Sequence, residues 1–138
     1  MIAVLIDTNV ILDYAEEHEN FFEASEKVFL QIRQGMIAGF VSASAVTDIY
    51  YVLRKRYKNS ETAIALLKML LDILDVLAVD RQTIETAIEL GLTDFEDAVQ
   101  AAAAQDCGIG IVITRDKTGF IHSGLRVCSP EEFLKQLI

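Results

Sequence analysis

The sequence predicts an α/β fold with a mainly parallel sheet of about five strands. Five short runs rich in Val and Ile alternate with longer segments of helical period. A single proline, with no repeat, low-complexity tract or Ser/Gly-rich linker, leaves nothing to divide the chain. The runs are Ile2 to Ile6, Gly39 to Val41, Val76 to Val79, Ile109 to Ile113 and, weakest, Leu125 to Cys128. Between the second and third runs, Ser60 to about Leu74 reads as a helix with Ile64, Leu67, Leu71 and Leu74 on one stripe and Leu66, Leu70 and Ile73 on a second. Asp80 is the expected N-cap of the next helix, and Gly91 stops it. Thr93 or Asp94 then caps a helix that runs through Ala98 to about Gln105 and ends before Gly108. The last helix opens with Ser129 as N-cap, Pro130 at the first helical position and Glu132 completing a capping box ahead of Phe133, Leu134 and Leu137.

At 138 residues and 52% hydrophobic content, residues 1–138 are expected to form one domain that buries roughly two-thirds of the surface exposed by the unfolded chain. Cys107 and Cys128 lie far apart without CxxC spacing, so neither a disulfide framework nor a zinc site is suggested. Both read as buried small hydrophobes, and a reducing cytoplasm suits them. No basic and apolar leader opens the sequence, and no secretion signal is expected. The most apolar stretch, Ala63 to Leu74, carries Lys68 and Asp72 and falls short of the roughly 20 residues a membrane span needs.

The aspartates carry the functional signal. In a parallel sheet all strands end at one edge, and ligands bind in the crevice there, at the topological switch point. Asp7 directly follows the first run, and Asp116 follows the fourth after Thr114 and Arg115. Asp48 sits in the first turns of the helix after the second strand, which starts at that same edge. A helix feeding the fourth strand also starts there, and Asp97 lies in its first turn, sharing a face with the small residues Ala101 and Ala104. Ala45, Ile49, Val52 and Leu53 likewise give Asp48 a core-facing surround.

Each carboxylate has a plainer explanation: Asp7 capping a helix from Val10, Asp97 supporting a helix N-terminus, Asp116 in a turn, and Asp48 paired with Arg54 or Lys55. Those explanations give no reason for four of them to converge. Buried or crowded carboxylates without a fixed cation repel strongly, and a divalent metal relieves that conflict. Oxygen-only ligands select Mg²⁺ or Mn²⁺ over zinc.

Four segments resemble the PIN domain, in its branch of bacterial and archaeal toxin–antitoxin toxins: Leu5-Ile6-Asp7-Thr8-Asn9-Val10-Ile11-Leu12-Asp13, Ser44-Ala45-Val46-Thr47-Asp48-Ile49-Tyr50-Tyr51, Asp94-Phe95-Glu96-Asp97-Ala98-Val99-Gln100-Ala101-Ala102 and Ile113-Thr114-Arg115-Asp116. They span nearly the whole chain, in an order completed by Ser129-Pro130-Glu131-Glu132-Phe133-Leu134. The resemblance implies a three-layer α/β/α sandwich and a cytoplasmic endoribonuclease that hydrolyses phosphodiesters through water activated by Mg²⁺ or Mn²⁺. It implies Asp7, Asp48, Asp97 and Asp116 as catalytic metal ligands, with Asn9 and Thr114 as supporting hydrogen-bond partners. Asp94 is an N-cap or a secondary ligand, and Asp13 reads as a solvated helix residue. Many PIN domains have Glu where this chain has Asp48, so the shorter side chain reaches metal either directly or through water. The resemblance also implies an antitoxin partner and a homodimer or higher oligomer.

A formal net charge of −9 sits awkwardly with a nucleic-acid substrate, since phosphate affinity comes mainly from Lys and Arg. Bound cations would invert the local field of an acidic site. Arg54, Lys55, Arg56 and Lys58 lie together, and Arg115 and Lys117 flank Asp116. Arg54, Lys55, Arg115 and Lys117 are either RNA contacts or solvated charges. His18 and His122 fall outside the motifs and read as surface or loop residues.

Three rival readings fit the residues less well. A phosphoacceptor receiver domain would use Asp80, but Asp7-Thr8-Asn9 replaces its acidic pair, and Thr114 and Lys117 crowd into one loop. A haloacid-dehalogenase-type phosphatase needs Asp-x-Asp, and Asn9 occupies its second position. A PIN domain that binds RNA or protein without cutting is disfavoured because all four acidic positions are filled. Gly108-Ile109-Gly110 precedes a strand and lacks the third glycine of a dinucleotide fingerprint.

Overall fold

The computed structural model describes residues 1–136, so Leu137 lies outside the described residues. Five strands, β1 (Ile2–Ile6), β2 (Ile37–Ser42), β3 (Asp75–Leu77), β4 (Ile111–Ile113) and β5 (Arg126–Cys128), pair in parallel in the order β3-β2-β1-β4-β5. The helices are α1 (Thr8–Ala15), α2 (Phe22–Arg33), α3 (Ala43–Tyr57), α4 (Ser60–Ile73), α5 (Arg81–Leu90), α6 (Phe95–Asp106) and α7 (Pro130–Gln136). The chain steps outward from β1 to β3, then crosses back through α5 and α6 to lay β4 on the free side of β1. The switch point therefore falls between β1 and β4.

Alternate residues of the central strands enter different cores, which makes the fold three-layered. Val4, Ile6 and Ile113 pack with Val10, Phe29, Ile49, Leu70 and Phe133 from the α1, α2, α3, α4 and α7 side. Leu5 and Val112 pack with Ala101, Ala103 and Ala104 of α6 on the other. Helix α6 is buried continuously from Ala98 to Ala104, and its alanines let it lie against the sheet on one side and α5 on another.

Several expectations shift at their edges. β2 starts at Ile37 because Ile37 pairs with Ile2, and β4 starts only at Ile111, after Gly108 turns the chain with a φ of 73°. On α4 the buried face is Ala63, Leu66, Leu70 and Ile73, whereas Ile64 and Leu71 are exposed. The two apolar stripes have similar hydropathy, and the one that includes small Ala63 can approach the core more closely. Val52 points outward although Ala45, Ile49 and Leu53 are buried. Cys128 is buried, but Cys107 is exposed because it lies past the last turn of α6. Asp80 is the N-cap expected and adds a capping box with Thr83, and Ser129 forms the expected capping box with Glu132. Among the described residues no helix is long and apolar enough to cross a membrane.

An alanine in the α6 sandwich has no room to grow. Ala101→Leu should destabilise the protein by about 1–3 kcal/mol through overpacking, read as a lower urea midpoint at unchanged slope.

Candidate functional site

The end of β1 is joined to the end of β4 by one buried carboxylate. The Asp7 N–H donates to the Ile113 carbonyl at 3.0 Å, extending the ladder one residue beyond the strand. Its side chain caps α1, with Oδ1 accepting from the Thr8 N–H at 2.7 Å and from Gln100 Nε2 at 3.2 Å. Oδ2 accepts from the Thr114 hydroxyl at 2.7 Å and from Asn9 Nδ2 at 3.3 Å. Burial pushes the Asp7 carboxyl above the usual carboxylate range; these hydrogen bonds oppose the rise, and the charge of Asp116 adds to it.

Thr114 organises the neighbouring loop. While donating to Asp7, its oxygen accepts from Asn9 Nδ2 at 3.4 Å and from the Asp116 N–H at 3.0 Å. Asn9 Oδ1 in turn accepts from the Arg115 N–H at 3.3 Å. These contacts hold the Thr114-Arg115-Asp116 backbone against α1. Asp116 itself is exposed, and its Oδ1 accepts from the Thr118 hydroxyl at 2.9 Å.

Asp97 enters from the first turn of α6, where Asp94 acts as N-cap and accepts from the Asp97 N–H at 3.1 Å. Partial burial first, then the charges of Asp7, Asp94 and Asp116, push Asp97 up to about 7. Asp48 is half-buried on α3 and faces Glu96. Although much of Glu96 is exposed, burial of its carboxyl, its hydrogen bond with Asp48 and the Asp48, Asp94 and Asp7 charges push it to about 7 as well. Among the described residues no Lys or Arg is ion-paired with Asp7, Asp48, Asp97 or Asp116.

The basic residues are placed differently from expectation. Arg115 turns back onto α1, where Nε and Nη2 reach the Asp13 carboxylate at 2.6 and 3.1 Å, and its guanidinium lies 4.0 Å from the Phe21 ring centroid. Asp13 is thus a buried partner and not a solvated residue, and Arg115 is committed within the protein. Lys117 pairs with Glu132 at 3.0 Å. Arg54 and Lys55 are exposed near the C-terminal end of α3, roughly 10 Å along its axis from Asp48 and toward the opposite edge of the sheet.

Sequence reasoning missed four neighbours of these carboxylates. Gln100, one turn after Asp97 and 1% exposed, donates to Asp7; a polar residue within an alanine run was the available signal. Glu96 was overlooked beside Asp97. Gly119 gives the carboxylates room, since a Cβ there would lie 2.5 Å from Asp97 Oδ2 and 3.2 Å from Asp116 Oδ2. His122 lines a cavity of about 490 Å³ together with Asp94, Asp97, Asp116, Leu92 and Ile121.

The donor set fits a hard divalent cation. It consists of carboxylate oxygens uncompensated by protein cations, and the buried Gln100 Oε1 and Thr8 Oγ1 beside Asp7 have no hydrogen-bond partner. Among the described residues no three Asp, Glu, His or Cys side chains form a preformed cage. An open carboxylate edge of this kind suits an ion such as Mg²⁺, which keeps several waters and is held through one or two carboxylates.

Two expectations follow from these electrostatics. Asp97 and Glu96 titrate near 7 in the folded chain against 3.8 and 4.5 ordinarily, so between about pH 4 and 7 the folded state holds the extra protons. Stability of the chelator-treated protein should therefore fall as pH rises through that window, and Asp97→Asn should flatten the fall in Tm. The lowered carboxyls of Asp80 and Glu132 act in the opposite sense, and only at more acidic pH. A metal-free Tm that climbs from pH 5 to 7.5 would contradict this account. Separately, Arg115→Met should cost about 2–3 kcal/mol by leaving Asp13 buried and unpaired, below the ~3–5 kcal/mol of a fully buried pair because the guanidinium is a third exposed. Adding Asp13→Asn should recover much of that loss in a double-mutant cycle.

A PIN domain family model matches residues 3–118. No curated protein is significantly similar to the chain. Among solved structures, VapBC2 of Rickettsia felis bound to a promoter DNA fragment aligns with a TM-score of 0.72 at 13% identity, covering 93% of this chain and 98% of that one. FitAcB of Neisseria gonorrhoeae aligns at 0.71 and 19% identity, with 93% and 98% covered. VapC20 of Mycobacterium tuberculosis, described as a sarcin-ricin loop cleaving toxin, aligns at 0.65 and 16% identity, with 79% and 86% covered. At such identities the likeness speaks for the fold, while the family match extends over most of the sequence and takes in all four aspartates: the chain belongs to the PIN domain family.

Proposed function

We propose that residues 1–138 form a single metal-dependent endoribonuclease domain that hydrolyses RNA phosphodiesters with Mg²⁺ or Mn²⁺ and serves as the toxin of a toxin–antitoxin pair. The observation that carries the proposal is the set of carboxylates Asp7, Asp97 and Asp116, mutually repelling and without a protein cation, at the switch point between β1 and β4. Nucleases of this family generally use divalent metal ions, and VapC20 supplies a structural neighbour described as a sarcin-ricin loop cleaving toxin. Asp7, Asp97 and Asp116 would hold the ion, with Asp48 and Glu96 acting directly or through water. When bound, a divalent cation lowers the pKa of water and offsets charge on the scissile phosphate.

The chain's own residues then have distinct tasks. Thr114, Asn9 and Gln100 fix the orientation of Asp7, so that its oxygens do not reorganise during reaction. Asp13 and Arg115 anchor the loop that presents Asp116. Gln100 Oε1 offers a buried acceptor to a water at this edge. An antitoxin partner and self-association are proposed on the strength of the VapBC and FitAcB neighbours, with exposed Tyr51, Ile64 and Leu71 of α3 and α4 supplying an apolar surface.

The receiver-domain alternative gains no support. Asp80 is spent on capping α5, its Oδ1 accepting from both the Thr83 N–H and the Thr83 hydroxyl at 3.0 Å.

Asp7→Asn and Asp97→Asn decide the proposal. With folding verified by circular dichroism, each should lower Mn²⁺-supported cleavage of RNA by at least 100-fold relative to the unaltered chain. Undiminished cleavage in both would refute the site, and absence of cleavage by the unaltered chain across structured and single-stranded RNAs would favour a non-cutting binder.

A further inference from the structure

The 490 Å³ cavity beside Asp97 and Asp116 has features that a metal site does not require. Its volume lies in the range of small-ligand pockets. The lining includes the aliphatic side chains of Leu92 and Ile121, and Ile121 is 64% exposed. Thr93, Thr118 and His122 add polar groups to the lining. Gly119 keeps the cavity continuous with the carboxylates, because a side chain at this position would run into Asp97 and Asp116.

We propose that this cavity receives the base of a nucleotide flanking the scissile phosphate, with preference for a base bearing an exocyclic amino group, guanine above all. The proposal rests on the ribonuclease reading for its substrate, and the charge and chemistry of the walls supply the rest. Among the described residues no Lys or Arg lines the cavity, and Asp94, outside the set that would hold the ion, does, so away from the ion a phosphate meets repulsion whereas a neutral base does not. Leu92 and Ile121 give a base face an apolar surface to lie on. The walls are rich in acceptors. Asp94 uses Oδ1 for the helix cap, which leaves Oδ2 for a ligand, and the Thr118 hydroxyl donates to Asp116, which leaves its lone pairs free to accept. Acceptors of this kind pair with N–H donors; the Watson–Crick edge of guanine presents N1–H and an amino group, and that of uracil a single N–H.

The test uses the full chain loaded with Mg²⁺, carbon-13 methyl labelling, and three probes: guanosine 5′-monophosphate, uridine 5′-monophosphate and ribose 5-phosphate. The guanosine nucleotide should shift the Leu92 and Ile121 methyl signals and bind at least tenfold more tightly than ribose 5-phosphate, with the uridine nucleotide between them. Ile121→Ser should weaken the guanosine nucleotide at least fivefold while Mn²⁺ affinity, measured with the metal alone, is unchanged. Equal affinity for ribose 5-phosphate, or methyl shifts elsewhere, would overturn the base site. RNA cleaved without base dependence would remove the base site and leave the nuclease; a guanosine nucleotide seated in the cavity of a chain that cuts no RNA would do the reverse. Neither binding nor cleavage would end both.

Discussion

A single hydroxyl sets the geometry on which the functional edge depends. Thr114 Oγ1 donates once, to Asp7, and accepts twice, from Asn9 and from the Asp116 backbone, so its hydrogen-bonding capacity is fully used. β1 and β4 share only two residue pairs, Leu5 with Val112 and Ile6 with Ile113, before the strands give way to loops. Beyond that short ladder and the Asp7 N–H bond to the Ile113 carbonyl, side-chain hydrogen bonds keep the strand ends together. A valine at position 114 would fill a similar volume, yet it would leave Asp7 Oδ2 short of its nearest donor and free the Asp116 backbone at once. The buried carboxylate, the loop and the switch point are therefore one cooperative unit and not three separate features.

This unit opposes stability, and the rest of the fold accommodates it. Asp7 is 6% exposed with a carboxyl pushed upward by burial, and Asp97 stands close enough to feel its charge. What allows two such groups to persist is the surrounding rigidity: β1 is buried on both faces, and α6 reaches the sheet through alanines that leave little slack. Strain at a functional edge persists where a well-packed scaffold over-determines it. The same packing that makes α6 intolerant of larger residues places Asp97 and Gln100 within one turn of each other, facing β1.

Local pattern revealed what local physics determines. β1 and the caps at Asp80, Asp94 and Ser129 were legible because a strand run or a capping side chain interacts with residues a few positions away. That Asp7, Asp97 and Asp116 come near enough to feel one another's charge was legible for a different reason: parallel connectivity sends strand C-termini and helix N-termini to the same edge, whatever the loops do, whereas Asp48 faces Glu96. What stayed hidden were pairings across the chain. Asp13 meets Arg115 over 102 positions, and nothing near Asp13 distinguishes it from a solvated helix acid. Gln100 donates to a carboxylate 93 positions away. The choice between two apolar stripes on α4 likewise depends on which neighbour it meets.

These long-range pairings also bear on the charge of the molecule. Two of the cations nearest the carboxylate edge are already spoken for, Arg115 by Asp13 and Lys117 by Glu132, and the cluster at the end of α3 lies toward the other side of the sheet. The protein thus brings little positive charge of its own to the place where a phosphate would react. For a nuclease built this way, phosphate affinity has to arrive with the metal, and substrate binding becomes conditional on metal binding. In a metal-dependent ribonuclease such coupling would have a physical advantage: without the ion the edge repels nucleic acid, so RNA would not be held in a site that cannot act on it. Contacts to the bases then carry whatever discrimination such a site has between one nucleotide and another, because the electrostatic term treats all phosphates alike.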